Sequence, residues 1–357
     1  MKLFRCQHCA QVLYFENTKC ERCGHQLGYI PETATLSALE PDGDAWRALA
    51  APGRPFRFCD NAQHDVCNWL VPAEADTPFC AACRHNLTIP PLDDPANVLA
   101  WRKLELAKHR LFYTLLRLGL PLQTRAEDPE HGLAFSFLAD LPQPDGSKVM
   151  TGHDNGLITI ALAEADDAER EMRRVSMHEP YRTLLGHFRH EVGHHYWDLL
   201  VRDAGRLEPF RALFGDEQAD YGAALQRHYE TGAPAGWQEN FVSTYATAHP
   251  WEDFAETWAH YLHILDTLEM ARAFGIRVDP VVTNDPALTT EVDLDPYRAK
   301  DIQTLIEPWL PLSFALNSLN RTMGQADVYP FILSPRVIEK LGFIHTIVHA
   351  PAAREGR

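Results

Sequence analysis

The sequence has no apolar run of the roughly eighteen residues that a membrane-spanning helix needs. Its opening residues, 1–6, read Met-Lys-Leu-Phe-Arg-Cys and lack the apolar core of a secretion signal. These two absences exclude a membrane-embedded enzyme. We therefore expect a cytoplasmic protein with no membrane partner.

Basic residues are scarce relative to acidic ones. The 33 Lys and Arg residues face 49 Asp and Glu residues, which gives a formal net charge of −16. Residues 1–100 share the acidic excess. An acidic surface repels a phosphate backbone, so the composition argues against nucleic acid as a partner.

Cysteine is absent after residue 83, and the spacing of the eight cysteines before that point is not random. They form two sets of four, namely Cys6, Cys9, Cys20 and Cys23, then Cys59, Cys67, Cys80 and Cys83. Disulfides are not expected without a secretory signal, whereas four thiolates form the closed shell of a structural zinc site. Iron in the first set, and His64 as a rival ligand in the second, remain open alternatives.

The spacing of these motifs predicts four segments. Residues 1–30 are predicted to form a zinc ribbon, which uses metal in place of an apolar core. Residues 31–55 are rich in Pro, Gly, Ala and Asp and are interpreted as a linker. Residues 56–92 are predicted to form a second four-cysteine zinc module, and residues 93–350 the main domain.

Helices dominate the predicted secondary structure of the main domain. Asp94 and Pro95 are typical of a helix start, and an apolar stripe follows to about residue 118. Strands are predicted at 133–138 and 157–162, and further helices at about 180–202, 250–274, 295–320 and 335–348. The prediction is an α+β fold, mostly α, with tandem zinc ribbons ahead of a helical domain that contains a small sheet.

One predicted helix carries the pattern HExxH, formed by His190, Glu191 and His194. Side chains four positions apart lie on the same helical face, so both imidazoles can bind one divalent metal. Glu191 lies one step round the helix, where it can reach a water bound to that metal rather than the metal itself. This arrangement is typical of zinc hydrolases, in which a carboxylate takes a proton from the water.

A third protein ligand has to come from elsewhere in the chain. Trp197 and Leu200 stand where the metzincin signature needs Gly and His, and the inverted HxxEH pattern is also absent. Glu252 and Glu256 lie four residues apart on a later predicted helix. One can bind the metal while the other hydrogen-bonds a ligand histidine, and Asp253 is a further candidate.

The two predicted helices resemble the active-site helices of gluzincin metallopeptidases, including proteases of the lethal-factor type, in which HExxH is followed by an E-x-F-A-E helix. The resemblance implies that Glu252 is the third ligand and Glu256 a supporting residue. It also implies a catalytic role for Tyr245, seven residues before Glu252.

A wider resemblance covers nearly the whole chain. The cysteine sets, HEVGHHYW, HPWEDFAETWAHYLH and the segment 317–321 (Asn-Ser-Leu-Asn-Arg) are similar to bacterial zinc-binding metallopeptidases with zinc-ribbon heads. The implied domain is zincin-like, with one catalytic and two structural zinc ions. The implied partners are a peptide or protein substrate and a protein recognised by the ribbons.

Together these features predict peptide-bond hydrolysis by a metal-activated water, with Glu191 as general base. Tyr245 is expected to donate a hydrogen bond to the oxyanion, and Glu256 to fix the tautomer of a ligand histidine. The run 156–162 is a candidate edge strand for an extended substrate. The alternative is a non-catalytic zinc-ribbon regulator that binds protein or nucleic acid and carries a silent HExxH metal site.

Overall fold

The computed structural model describes residues 1–139, 149, 151–176 and 182–350. These residues divide into two compact units, Met1–Glu171 and Met172–Arg357. In the described part of the chain, no helix combines the length and the apolar character that crossing a membrane requires.

The first unit begins with short strands and an antiparallel sheet. Its early strands are β1 (Phe4–Arg5), β2 (Val12–Leu13), β3 (Gln26–Ile30), β4 (Thr35–Asp42), β5 (Ala45–Ala48), β6 (Pro55–Phe58) and β7 (Leu70–Pro72). β1 pairs with β2, and β3 to β7 form a five-stranded meander in chain order. Ile30, Leu39, Ala48, Phe56 and Leu70 form its apolar core.

The predicted linker 31–55 is wrong, because β4 and β5 lie inside this meander. Leu39 and Ala48 are buried and pair with each other across the two strands. Asp42, Gly43 and Asp44, which contributed to the linker interpretation, lie at the β4–β5 hairpin turn, where Gly43 has φ +63°. Gly53 lies in the next connection, between β5 and β6. The segment between the two cysteine sets is therefore a folded part of the unit.

The remainder of the first unit combines a long helix with a mixed sheet. Its elements are β8 (Asn86–Thr88), α1 (Pro95–Leu118), β9 (Ala134–Leu138), β10 (Gly152–Asp154) and β11 (Leu157–Ala161). As the sequence predicted, Asp94 caps α1 by accepting from the Ala96 amide, and the helix ends at Leu118. Gly119 follows in the left-handed conformation. β8 pairs with β9, so this sheet spans the predicted boundary at residue 93.

The candidate edge strand 156–162 is also corrected. β11 lies between β10 and β9 in the sheet order β10-β11-β9-β8. It pairs antiparallel with β10 and parallel with β9, so both of its backbone edges are occupied. An internal strand of this kind cannot add an extended peptide.

The second unit is mostly helical. α2 (Asp167–Ser176) crosses the division between the units, and the later elements are α3 (Leu184–Trp197), α4 (Leu207–Phe214), α5 (Tyr221–Thr231), α6 (Pro250–Phe274), β12 (Arg277–Val278), β13 (Thr290–Glu291), α7 (Gln303–Thr322) and α8 (Pro335–His349). α3 continues as a π-helical turn, Asp198–Arg202. The predicted start of α3 at residue 180 lies outside the described residues. The α+β, mostly α class is confirmed.

Candidate metal centre

The metal centre begins with the way in which α3 presents its two histidines. The Thr183 hydroxyl accepts a hydrogen bond from the Gly186 amide and fixes the start of the helix. His190 and His194 follow on one face, with ring centroids 5.0 Å apart. The His194 ring also packs on Trp251, with centroids 3.8 Å apart, which restricts its rotation.

α6 supplies the carboxylates. Pro250 occupies its first turn, and the side chain of His249 caps the helix by accepting from the Trp251 amide. Glu252 therefore lies in the first turn, where a negative charge is favoured by the helix dipole, and it is only 1% exposed. α3 can approach closely because Gly193, inside the HExxH motif, faces Ala255 of α6.

Three ligand atoms converge between these helices. Glu252 Oε2 lies 3.0 Å from His190 Nε2 and 3.6 Å from His194 Nε2. Ligands bound at 2.0–2.1 Å in a tetrahedron are separated by about 3.4 Å, so these distances match a zinc site. Within the described residues, Glu252 Oε2 receives no hydrogen bond of ordinary geometry. A cation of the zinc class fits this buried group of two imidazoles and one carboxylate.

Glu256 fixes the orientation of one of these imidazoles. Its Oε1 lies 2.7 Å from His190 Nδ1, and its Oε2 accepts from the Ser243 hydroxyl at 2.6 Å. A carboxylate at this position accepts a hydrogen bond from Nδ1–H, which leaves the Nε2 lone pair directed toward Glu252 and His194. The supporting role expected for Glu256 from the sequence would depend on this contact.

The electrostatics of the group favour a positive charge. Burial alone would lower the pKa of His190, but Glu252 and Glu256 raise it well above its ordinary value. Burial would likewise raise the pKa of Glu252, and His194 and His190 hold it well below its usual range. A divalent cation would take the place of the positive charge that these carboxylates stabilise.

Two tyrosines and Glu191 share the space around Glu252. Burial and the charge of Glu252 raise the pKa of Tyr245, and Glu191 adds to this effect. The Tyr245 ring lies 5.8 Å from that of His190. Tyr221 donates from its hydroxyl to Glu252 Oε1 at 2.6 Å, and its pKa is raised by burial and by Glu252. Both phenols therefore stay protonated, Tyr221 as a donor to Glu252 and Tyr245 with a proton that it can donate.

The first set of cysteines has the dimensions of a zinc site. Cys6 and Cys23 have sulfurs 3.7 Å apart, and those of Cys9 and Cys20 are 3.6 Å apart. A tetrahedral zinc with Zn–S bonds of 2.3 Å separates its sulfurs by about 3.8 Å, whereas a disulfide brings them to about 2.05 Å. The four side chains lie close enough to bind one ion, and none forms a disulfide.

The second set is buried and includes a neighbour that the spacing did not reveal. The Cys67 and Cys80 sulfurs are 3.8 Å apart, and all four cysteines lie within ligand reach of one another. His109 of α1 places Nε2 3.3 Å from Cys67 Sγ and 3.6 Å from Cys83 Sγ. His64, the rival considered from the sequence, is not part of this group of described residues.

The structure thus brings together the ligand atoms of every predicted metal group, and it adds Tyr221, Ser243 and His109. Those three lie 31, 13 and 26 positions from the residues that they contact, namely Glu252, Glu256 and Cys83. No local spacing rule links residues so far apart. The only signal in the sequence was their residue type.

Comparison with known proteins agrees with this geometry. A family model described as "Putative zinc-binding metallo-peptidase" matches residues 97–347, and a zinc-ribbon domain model matches residues 3–94. The "Uncharacterized protein Rv2568c" of Mycobacterium tuberculosis (strain H37Rv) is 44% identical over 349 residues, which cover 98% of this chain and 95% of the relative. "Uncharacterized protein Mb2598c" of Mycobacterium bovis matches to the same extent. No solved structure matches the chain.

Proposed function

The chain belongs to this metallo-peptidase family, whose model covers most of its length, and on that premise we propose that it hydrolyses peptide bonds in a zinc-dependent reaction. The observation that carries the proposal is the convergence of His190 Nε2, His194 Nε2 and Glu252 Oε2 in one buried group. These three side chains would hold the ion. Bound there, zinc supplies a Lewis acid that polarises a carbonyl and lowers the pKa of a water.

The remaining steps fall to side chains of this chain. Glu191, which follows His190 directly and is half-buried, would accept a proton from the attacking water. It then transfers that proton to the leaving amine nitrogen. The protonated phenol of Tyr245 donates a hydrogen bond to the oxyanion that develops on the substrate carbonyl.

This arrangement favours catalysis over the silent-site alternative. A site that only stores metal needs ligands, whereas this one also has an adjacent carboxylate and the half-buried phenol of Tyr245. Glu191 contributes to raising the pKa of both Tyr221 and Tyr245, which supports a position for its carboxylate close to the two hydroxyls. The acidic composition also gives no support to nucleic-acid binding.

The test is Glu191→Gln in the full chain. The variant keeps the shape of the side chain but cannot accept the proton, so we expect the rate of cleavage to fall about 10²- to 10⁴-fold. Cleavage is measured with labelled casein and, because a narrow specificity would spare casein, with a diverse peptide library read by mass spectrometry. Metal content per chain should be unchanged in the variant.

Two controls accompany this test. His190→Ala/His194→Ala should lose both turnover and one metal ion per chain. Wild-type turnover in Glu191→Gln would refute the role of the general base. Failure of the zinc-loaded wild-type protein to cleave any library peptide would refute the proposed function itself.

A further inference from the structure

The two oxygens of Glu252 have different surroundings. Oε2 faces the imidazole nitrogens of His190 and His194, whereas Oε1 accepts a hydrogen bond of 2.6 Å from the Tyr221 hydroxyl. The Glu252 side chain is almost completely buried. A buried carboxylate of this kind can bind a metal through one oxygen or through both, and the neighbours of Oε1 decide between the two modes.

Tyr221 is held at this position by the first turn of α6. Its ring packs edge-on against His249, with centroids 5.3 Å apart, and against Trp251, with centroids 5.8 Å apart. His249 in turn connects two segments, because Nδ1 accepts from the Trp251 amide and Nε2 donates to the Ala219 carbonyl at 3.0 Å. One neutral tautomer satisfies both contacts, so the start of α5 is tied to the start of α6.

We infer that Tyr221 is a positioning residue for the metal ligand Glu252. Its hydroxyl donates a hydrogen bond to Oε1, so that the carboxylate would bind the metal through Oε2 alone. One coordination position would then stay open for water and substrate. The inference rests on the proposed function, since it concerns the same metal centre. It adds a contact that fixes the denticity of the ligand and that comes from a helix outside the HExxH and Glu252 motifs.

The test compares Tyr221→Phe with the wild-type chain. Phenylalanine keeps the ring contacts with His249 and Trp251 and removes only the hydroxyl. Loss of a partner of a metal ligand lowers metal affinity about 10- to 100-fold. We expect a loss in this range for the metal at the site of His190, His194 and Glu252. Affinity is measured by equilibrating the protein in zinc buffers and determining zinc per chain, with His190→Ala/His194→Ala as the baseline.

A spectroscopic readout tests the denticity directly. When Co²⁺ replaces zinc at this site, freeing Oε1 should allow bidentate binding in Tyr221→Phe. Higher coordination weakens and shifts the visible bands of Co²⁺. Tyr229→Phe is the matched control, because it removes a phenol hydroxyl from the same helix where the side chain is 62% exposed. It should match the wild type in affinity and in spectrum.

The outcomes separate this inference from the proposed function. If the wild-type chain binds no metal beyond that of the baseline variant, the proposed metal centre is wrong. If the wild-type chain binds it and Tyr221→Phe binds it with equal affinity and an identical cobalt spectrum, only the role of Tyr221 is wrong. A fall in kcat without a change in affinity or spectrum would make Tyr221 a direct donor to the substrate, which also contradicts the inference.

Discussion

His190 and His260 are both largely buried in the second unit, yet their pKa values move in opposite directions. Burial lowers the pKa of His260 to about 4, against a smaller opposing effect of Glu256. At His190 the two carboxylates Glu252 and Glu256 outweigh burial and raise the pKa. One histidine therefore stays neutral in the folded chain, and the other lies where positive charge is stabilised.

The neutral His260 makes folding stability depend on pH. Below its ordinary value of 6.5 the unfolded chain binds a proton at this residue, whereas the folded chain binds it only near pH 4. Its contribution is therefore complete above pH 6.5 and is lost as pH falls toward 4. Between pH 7.5 and 5.0 this loss amounts to about 2 kcal/mol.

His260→Gln removes this titration and keeps a polar group near the Tyr329 hydroxyl, which lies 2.8 Å from His260 Nδ1. The free energy of unfolding is measured with urea at pH 7.5 and at pH 5.0. Between these two pH values we expect that of His260→Gln to fall by about 2 kcal/mol less than that of the wild type. The metal contributes equally to both chains and cancels in the comparison. His131→Gln alters a largely exposed histidine and should follow the wild type. Equal pH dependence for His260→Gln and wild type would contradict the prediction.

At the scale of elements, the contact between α3 and α6 sets the distance between the metal ligands. Gly193 allows this contact, because a Cβ added there would lie 3.0 Å from Ala255 Cα and 3.3 Å from Trp258 Cβ. Backbone atoms of a packed helix cannot give way as the end of a side chain can. The HExxH motif requires no glycine at this position, so the requirement comes from packing.

Gly193→Ala should therefore push α3 away from α6. We expect a loss of about 1–3 kcal/mol in the free energy of unfolding, although alanine itself favours helix. We also expect weaker binding of metal at the site of His190, His194 and Glu252. Thermal unfolding and zinc content per chain measure the two effects. Gly342→Ala in α8 is the matched control, because its added Cβ meets the Ile302 methyl at 3.3 Å, and a side chain can move. A Gly193→Ala chain with wild-type stability and metal affinity would show that the two helices are not tightly packed.

Local signals explain which elements could be predicted from the sequence. Asp94 and Pro95 marked the start of α1, and Pro250 that of α6, because capping depends on a few adjacent residues. The convergence of the proposed ligands His190, His194 and Glu252 could be predicted from helical spacing and from a family resemblance. β4 was missed because its Pro41, near the hairpin turn, suggested a linker. The contact between Tyr221 and Glu252 could not be predicted, because it depends on packing between segments 31 residues apart in the sequence.

At the scale of the whole molecule, the residue ranges matched by the two family models differ from the bounds of the two compact units. The zinc-ribbon match ends at residue 94 and the metallo-peptidase match begins at residue 97, whereas the first compact unit extends to Glu171. β8 lies in the ribbon match and pairs with β9 of the next match, and His109 of α1 contacts Cys67 and Cys83. The second cysteine set is thus part of the core of the first unit rather than a separable module.

The three metal groups differ in how well they are shielded from solvent and in ligand chemistry. The group of His190, His194 and Glu252 offers two imidazoles and a carboxylate, and the proposed catalytic role would leave one coordination position open. Cys9 and Cys23 of the first cysteine set are half-buried. Every cysteine of the second set is buried, and His109 covers one side of it. A chelator therefore meets three different barriers to removing zinc.

We expect zinc to leave in three phases when the full chain is exposed to excess chelator, with one ion in each phase. The histidine–glutamate site should empty first, because two imidazoles and one carboxylate hold zinc less tightly than four thiolates. The first cysteine set should empty second and the second set last, because every cysteine of the second set is buried. Release is followed with a chromogenic zinc indicator and calibrated by total zinc per chain. His190→Ala/His194→Ala should lack only the fastest phase, and Cys9→Ser should alter only the intermediate one. If the fastest phase persists without both histidines, that zinc comes from a cysteine set, and the proposed order of release is wrong.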